Sequence, residues 1–304
     1  MKYLKPPVAI DKQILLLQSR WLSIVDEKEA IHRLEHTGYF RLSGYFKYYQ
    51  NDDNTFLDTV TFEQVWDIYI FDRKLRLLTI DAIEKIEISL KANINYRMSL
   101  LGGCFWYKDN DFFDTSEDWK LEIYNKLNSH IQEIKDKSSA VFVTAYFEKY
   151  TSETHLPSWM LFEELTIGEV SNLYKILKKE YRQEIANVYG TYNIDLWKWI
   201  QLLVNLRNIS AHHARLWNRR YISKPRTWDV IFKKHYQTKD NLFWGLDVIP
   251  NYYNASLIIH YLLGTINKNF SWVDDLENLF SEHPNIPKKS MWFDEKSFSI
   301  LRSI

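Results

Sequence analysis

One helical pattern, between Thr61 and Leu101, limits the fold more than any other part of the sequence. Thr61 and Gln64 match a capping box, in which the two side chains satisfy free N–H groups at the start of a helix. Apolar residues then recur every three or four positions until Gly102 and Gly103 end the pattern. A helix of about 40 residues is about 60 Å long. We therefore expect it to form the central helix of a bundle.

The rest of the chain also favours helices. Only 8 Gly and 7 Pro occur among 304 residues, which leaves little material for the tight turns of a sandwich or barrel. An aromatic segment at 39–49, with Gly44 at its centre, permits a short strand, a hairpin or a packed loop. We predict an all-α helical bundle with a long central helix. It comprises a small helical and aromatic N-terminal extension at 1–60, a helical core at 61–283 and a C-terminal tail at 284–304.

Composition excludes several classes of function. The 39 basic and 39 acidic residues balance, so no whole-molecule field draws the protein to nucleic acid, and any such binding must come from a local patch. A single cysteine, Cys104, excludes an internal disulfide and a multi-cysteine zinc site, which fits a reducing compartment. The first residues lack a signal peptide, and no apolar run reaches the ~20 residues needed to span a bilayer. We expect a soluble cytoplasmic protein.

The segment from Leu206 to Arg215 is where we expect the chemistry. Arg207, Asn208 and His212 interrupt an apolar repeat that we take to be the core face of one helix: Ile194, Trp197, Ile200, Leu203 and Leu206. Arginine offers a permanently charged fork to phosphate oxygens, and histidine exchanges a proton near neutral pH. In RNA the 2′-hydroxyl is itself the nucleophile. These residue types therefore suit metal-independent cleavage of a phosphodiester.

Helix geometry restricts how these side chains can meet. Asn208 and His212 are four positions apart and lie on nearly the same face, whereas Arg207 and His212 point about 140° apart on an ideal helix. A tight site therefore needs the helix to end near His212, or a second copy of the helix to contribute across a symmetric interface. We expect no metal at His212 and His213, because consecutive helical residues diverge and no acid stands at a ligand-like spacing.

A basic segment follows the motif and is the best candidate for phosphate contacts. Between Arg215 and His235 a single acid, Asp229, faces seven basic residues: Arg215, Arg219, Arg220, Lys224, Arg226, Lys233 and Lys234. The alternative interpretation is an ordinary solvated surface. The further predicted RNA contacts are His213, Arg41, Tyr45, Arg73 and Arg76. Each has a structural alternative. For the residues of the central helix it is a solvated pair of Asp72 with Arg76, or a role in which Asp72 or Arg76 faces the Arg207 helix and orients its side chains.

Several blocks of sequence resemble one family. Arg207-Asn-x-x-x-His212, continuing to Arg219, looks like the signature of the Abi (abortive infection) family of bacterial phage-defence proteins, within the HEPN superfamily. Further blocks also resemble family motifs: Arg41–Tyr45, Phe71–Arg76 followed by Asp81–Glu84, and Leu156–Trp159. The resemblance implies an α-helical HEPN domain that binds RNA. Many HEPN relatives are metal-independent ribonucleases whose site is completed by dimerisation, and some Abi proteins work with a small structured noncoding RNA.

Two hypotheses of function remain open, with a third that is less specific. In the first, Arg207, Asn208 and His212 form the catalytic group of an endoribonuclease without a cofactor, which we expect to be a homodimer or a higher homo-oligomer. In the second, the motif holds a structured noncoding RNA without cutting it, and the protein acts as a toxin when that RNA is lost. The third is an interaction module with a decayed site. Cleavage and binding separate on His212, which only cleavage requires.

Overall fold

The computed structural model describes residue 2, residues 6–221 and residues 251–304. Within these ranges the chain forms thirteen α-helices and no β-sheet, which confirms the all-α prediction. None of these helices combines the length and apolarity that a bilayer crossing requires. The helices are α1 (Ile10–Ser19), α2 (Glu27–Thr37), α3 (Tyr39–Phe46), α4 (Phe62–Gly102), α5 (Asp118–Lys137), α6 (Val141–Lys149), α7 (Ser158–Glu164), α8 (Ile167–Ile176), α9 (Lys179–Val188), α10 (Asn193–Ala211), α11 (Tyr252–Ile266), α12 (Trp272–Glu282) and α13 (Ser297–Arg302).

Helix α4 is the centre of the bundle, as the sequence predicts. It has 41 residues, and both hydrogen bonds of the Thr61–Gln64 capping box form at its start. The helix ends before Gly103, which has a φ of 76° that a larger residue would adopt only with strain. Helices α3, α7, α9, α10, α11 and α12 pack against it. These contacts bury one apolar row along its length, from Phe62 to Met98.

The aromatic segment at 39–49 is a helix, so the expectation of a strand, hairpin or loop is wrong. Gly38, with a φ of 85°, ends α2 and lets α3 begin at Tyr39 in a new direction. Leu42, Tyr45 and Phe46 are buried, and their spacing of three and four positions places them on one helical face. The helical period was hidden because aromatic residues also occupy positions that are not buried, Tyr39, Phe40, Tyr48 and Tyr49.

The core face of α10 differs from the predicted repeat at its first members. Ile200, Leu203 and Leu206 are buried, but Ile194 is 38% exposed and Trp197 is only partly buried. A strict repeat of three residues drifts around a helix of 3.6 residues per turn, so it cannot remain on one face. The buried partners at this end are instead Leu196 and Trp199.

A buried carboxylate joins α3 and α4 to the loop that follows α10. Asp72 Oδ1 accepts hydrogen bonds from the backbone N–H groups of Leu216 at 3.0 Å and Trp217 at 2.6 Å. Its Oδ2 accepts from the Tyr45 hydroxyl at 2.6 Å and from the Arg76 guanidinium. Asp72 is fully buried, so all four donors replace water that the carboxylate has lost.

The donors around Asp72 favour its charged form against the effect of burial. Burial is the larger influence and raises the pKa of the Asp72 carboxyl, whereas the Arg76 guanidinium and the hydrogen bonds lower it. Burial, together with the Asp72 charge, also raises the pKa of the Tyr45 hydroxyl well above its usual range, so this group stays a donor. A protonated carboxyl would present a hydrogen to neighbours that all donate, and the charged form fits them better.

Two arginines add a second set of links between α3 and the loop after α10. Arg41 Nη1 donates to the backbone oxygen of His213 at 2.7 Å, and Arg215 Nη1 donates to the backbone oxygen of Gly44. The Trp217 ring packs edge-on against Tyr48, with 4.8 Å between the ring centroids. These links fix the end of α10 against the N-terminal part of the chain.

Helix α10 ends in a Schellman motif formed by the motif residues themselves. The His213 N–H donates to Ser210 O at 3.1 Å, and the Ala214 N–H donates to Ile209 O at 2.9 Å. His213 occupies the position that usually holds glycine, with a φ of 56°. The last turn of the helix is therefore closed at His212, and the chain turns sharply at His213.

The C-terminal tail docks on the bundle within the described residues. Phe293 and Phe298 pack against Phe280 of α12, with ring centroids 5.1 and 5.8 Å apart. The His283 imidazole, which is buried, lies 2.5 Å from the Asp67 carboxylate of α4. The tail thus packs on α11 and α12 rather than extending into solvent.

Replacing Asp72 by asparagine should destabilise the fold strongly. The substitution leaves the buried Arg76 charge uncompensated, which costs about 3–5 kcal/mol of unfolding free energy. Urea denaturation at pH 7 measures this loss. Asp81→Asn is the matched control, because Asp81 lies on the same helix and pairs with Lys85, but both side chains are more than half exposed. The control should lose less than about 1 kcal/mol. Equal losses in the two variants would contradict the role of Asp72.

Glycine at position 213 should be tolerated better than glycine at position 212. His213 has a positive φ, and glycine relieves the cost of that conformation, so His213→Gly should leave the unfolding free energy unchanged or raise it by up to about 1 kcal/mol. His212 has an ordinary φ of −84°. There glycine only adds freedom to the unfolded chain, and the free energy should fall by about 0.5–1 kcal/mol. Thermal unfolding of the two variants, followed by circular dichroism, checks this order.

Candidate functional site

The predicted catalytic residues all reach solvent at the end of α10. Arg207 is partly exposed, and Asn208 and His212 are exposed. Arg207 Nη1 lies 3.3 Å from Asn208 Oδ1 and donates a hydrogen bond to it. The Asn208 side-chain oxygen thus holds the Arg207 guanidinium beside it. The N–H groups of the Asn208 side chain take no part in this bond. A phosphate could approach all three side chains without displacing any part of the core.

Helix α10 ends near His212, which is one of the two arrangements that a tight site of Arg207 and His212 requires. The last helical residue is Ala211, so His212 is the C-cap and His213 already turns away. Leu206 and Ile209, on the opposite face, are buried and anchor the turn. Arg207 and His212 therefore lie on a supported, exposed helix terminus. Among the described residues no hydrogen bond joins the two side chains, so a substrate between them would be held from two sides.

Cations lie on two segments that meet at this terminus, α3 and the loop after α10. Arg41 reaches it from α3, and Arg219 and Arg220 are exposed in the loop that follows Arg215. Arg219 Nη1 also donates to the backbone oxygen of Arg215 at 3.5 Å. Within residues 6–221 and 251–304, no ion pair neutralises Arg41, Arg207, Arg215, Arg219 or Arg220. Asp72, the carboxylate that contacts the loop after α10, is buried and paired with Arg76.

Two of the predicted RNA contacts are wrong, because the side chains are inside the protein. Tyr45 is 2% exposed and Arg76 is 5% exposed. Both side chains donate a hydrogen bond to the buried Asp72, so neither reaches a ligand at the surface. Arg215 is half-buried, and its bond to Gly44 gives it a structural role beside any contact with phosphate.

The other predicted contacts are placed as follows. His213 is exposed, and its backbone oxygen is occupied by Arg41. Arg73 is exposed on α4. The basic residues further along the chain lie outside the described residues: Lys224, Arg226, Lys233 and Lys234. Their contribution to a basic surface stays a prediction.

From the sequence alone, Asp72 can form a solvated pair with Arg76 or orient the Arg207 helix. Asp72 does pair with Arg76, but in a buried site, and it contacts the loop after the Arg207 helix through Leu216 and Trp217. The available signal was the repeat of α4 itself, where Asp72 stands in the apolar row between Ile68 and Leu75. A carboxylate in such a row requires buried donors.

One group of side chains within the described residues could hold a metal ion. His32, Glu35 and His36 lie on consecutive turns of α2, and their possible ligand atoms are within 4.8 Å of one another. All three are exposed. The group is separate in sequence from Arg207 and His212, and the chemistry expected of the motif does not need it.

One known family matches the part of the chain that contains this site. The family model described as Abi-like protein matches residues 32–218, which is more than half of the chain. No curated protein and no solved structure matches the chain. The matched range runs from α2 to the loop after α10, so it includes Arg41, Asp72 and the complete Arg207–His212 motif. The family suggests a role in abortive infection, a form of phage defence. We conclude that this chain belongs to the Abi-like protein family.

Proposed function

We propose that this protein binds RNA at the end of α10 and cleaves it without a metal ion, as an abortive-infection ribonuclease of the HEPN type. The observation that carries the proposal is the exposure of Arg207, Asn208 and His212 on one buttressed helix terminus. Cations without a described ion pair lie on α3 and on the loop after α10, and Asp72, the acid that contacts this loop, is buried. A phosphodiester is the substrate that this combination of charge and proton chemistry fits best.

Each residue has a distinct part in the proposed reaction. The His212 imidazole removes the proton from the 2′-hydroxyl, whose oxygen attacks the adjacent phosphorus. The bond from phosphorus to the 5′-oxygen breaks, and that oxygen takes up a proton. The products are a 2′,3′-cyclic phosphate and a 5′-hydroxyl. Arg207 stabilises the negative charge on the phosphorane, and Asn208 positions the Arg207 guanidinium through the hydrogen bond between them.

The proposal includes a homodimer. Arg207 and His212 are five positions apart on α10 and diverge by about 140° on an ideal helix. A two-fold axis beside α10 would bring His212 of one subunit to Arg207 of the other, because the same surface faces itself across such an axis. The exposed end of the helix is free of described packing on this side, so a second copy has access to it.

The second candidate is a protein that holds a structured noncoding RNA without cutting it and acts as a toxin when released. The exposed cations Arg41, Arg219 and Arg220 support this candidate as much as the first, since they contact phosphate in either case. Only the proton chemistry of His212 distinguishes the two.

His212→Ala should abolish RNA cleavage in EDTA while RNA binding persists. Loss of a general acid–base group lowers such rates by about 100-fold to 10,000-fold. Cleavage is followed on total cellular RNA, with the cyclic phosphate identified at the new 3′ ends, and binding is followed by filter retention. His32→Ala, an exposed histidine on α2, is the control and should retain full activity. Wild-type protein that leaves RNA intact but copurifies with one RNA species would establish the second candidate instead.

Mixing two inactive variants tests the dimer. If each site takes Arg207 from one subunit and His212 from the other, a heterodimer of Arg207→Ala and His212→Ala contains one complete site. Random exchange should then restore about a quarter of the wild-type activity. The variants are denatured and refolded together, and each is refolded alone as the control. No recovery from a mixture that forms dimers would place the complete site within one subunit.

A further inference from the structure

Two large aromatic rings stand in solvent near the motif. Phe40 is 91% exposed and Trp21 is 66% exposed. Neither belongs to the residues that the sequence singled out. Single exposed rings are common on soluble proteins and need no special explanation. The position of these two, and the groups beside them, set them apart.

Hydrogen bonds connect the two segments that carry these rings to each other and to the motif. At the end of α1, Arg20 Nη1 donates to the Tyr39 hydroxyl at 3.4 Å, so this end lies against the start of α3. Trp21 and Phe40 are the next residues along the two segments. Arg41, which follows Phe40, donates to the backbone oxygen of His213 at 2.7 Å. The chain of contacts therefore runs from the end of α1, across the first turn of α3, to the motif.

The backbone presents both rings in fixed places. Phe40 lies on α3, whose opposite face is held in the core by Leu42 and Phe46. Trp21 has a φ of 73°, an unusual conformation for a non-glycine residue, and its N–H is bonded to Gln18 O at 2.9 Å. A ring whose backbone is already ordered loses little further entropy when a ligand stacks on it.

The charges around the rings favour nucleic acid over a protein partner. Arg20 and Arg41 each adjoin one ring, and neither forms an ion pair with an acid in residues 6–221 or 251–304. Aromatic rings interleaved with cations are the arrangement that single-strand binding proteins use, because bases stack on the rings while phosphates contact the cations.

We propose that Trp21 and Phe40, with Arg20 and Arg41, form a stacking platform for unpaired bases of the RNA strand that leads to the motif. The inference rests on the proposed function, since it assumes RNA at the end of α10. It goes further by naming the form of RNA, a single strand beside the reactive phosphate, and the surface along which that strand lies. A base stacked on Phe40 would place its neighbouring phosphate near Arg41 and so next to His213.

Phe40→Ala should weaken binding of a single-stranded RNA oligonucleotide by about 5-fold to 100-fold, the loss expected for one stacked base. The protein carries His212→Ala so that the strand stays intact, and fluorescence anisotropy gives the affinity. Phe40→Trp should retain the affinity, because it keeps a stacking ring. A 2-aminopurine base in the oligonucleotide should be quenched on binding to the parent protein and much less so with Phe40→Ala. Trp21→Ala should behave like Phe40→Ala.

Two controls separate stacking from other effects. Tyr96→Ala removes a ring of similar exposure, 63%, from α4 and should leave the affinity unchanged. Arg219→Glu with Arg220→Glu should weaken binding mainly through phosphate contacts and lower its dependence on salt, whereas Phe40→Ala should leave that dependence unchanged. Because Phe40 is exposed, the urea midpoint of Phe40→Ala should equal that of the parent protein.

The outcomes distinguish this platform from the proposed function. Binding of single-stranded RNA that is the same with and without Phe40 overturns the platform alone. Binding of duplex RNA only also overturns it, while the motif site stands. A change of oligomeric state in Phe40→Ala, with unchanged RNA affinity, assigns the rings to a protein interface instead. Absence of any RNA binding by the parent protein overturns the platform and the proposed function together.

Discussion

The buried carboxylate of Asp72 is the interaction on which the candidate site depends. A charge without water is costly, and here its four donors come from α3, α4 and the loop after α10. An apolar residue at this position would leave two backbone N–H groups, a hydroxyl and a guanidinium without partners in the core. The three segments are therefore stable only together, and the loop after His212 has one position relative to α4.

This arrangement explains why α3 belongs to the site although it is far from α10 in sequence. Tyr45 brings the buried face of α3 to Asp72, and the exposed face of the same helix then carries Phe40 and Arg41. Arg41 and Arg215 exchange bonds between the two segments in opposite directions. Groups that bind a substrate act best when their supports are rigid. The end of α10 receives its rigidity from α3 and α4, and not from α10 alone.

Local signals in the sequence predicted the helices well. The capping box at Thr61 forms as expected, since it depends on residues three positions apart. The helical class of 39–49 was missed because the aromatic side chains there obscure a short helical period around Gly44. The partners of Asp72 at Leu216 and Trp217 are separated from it by more than 140 positions. No local pattern reports such a contact. The sequence could therefore identify the motif residues, but it could not tell which of the other predicted contacts are buried.

The electrostatic character of the site follows from burial and not from composition. The chain has equal numbers of acidic and basic residues, so a basic surface exists only where acids are paired or placed elsewhere. The described carboxylate that contacts the loop after α10 is Asp72, and Arg76 compensates its charge inside the protein. Exposed pairs such as Asp81–Lys85 and Glu133–Lys137 balance their own charges on other surfaces. The positive charges of Arg207, Arg219 and Arg220 are thus available to a ligand, although the net charge of the whole protein is zero.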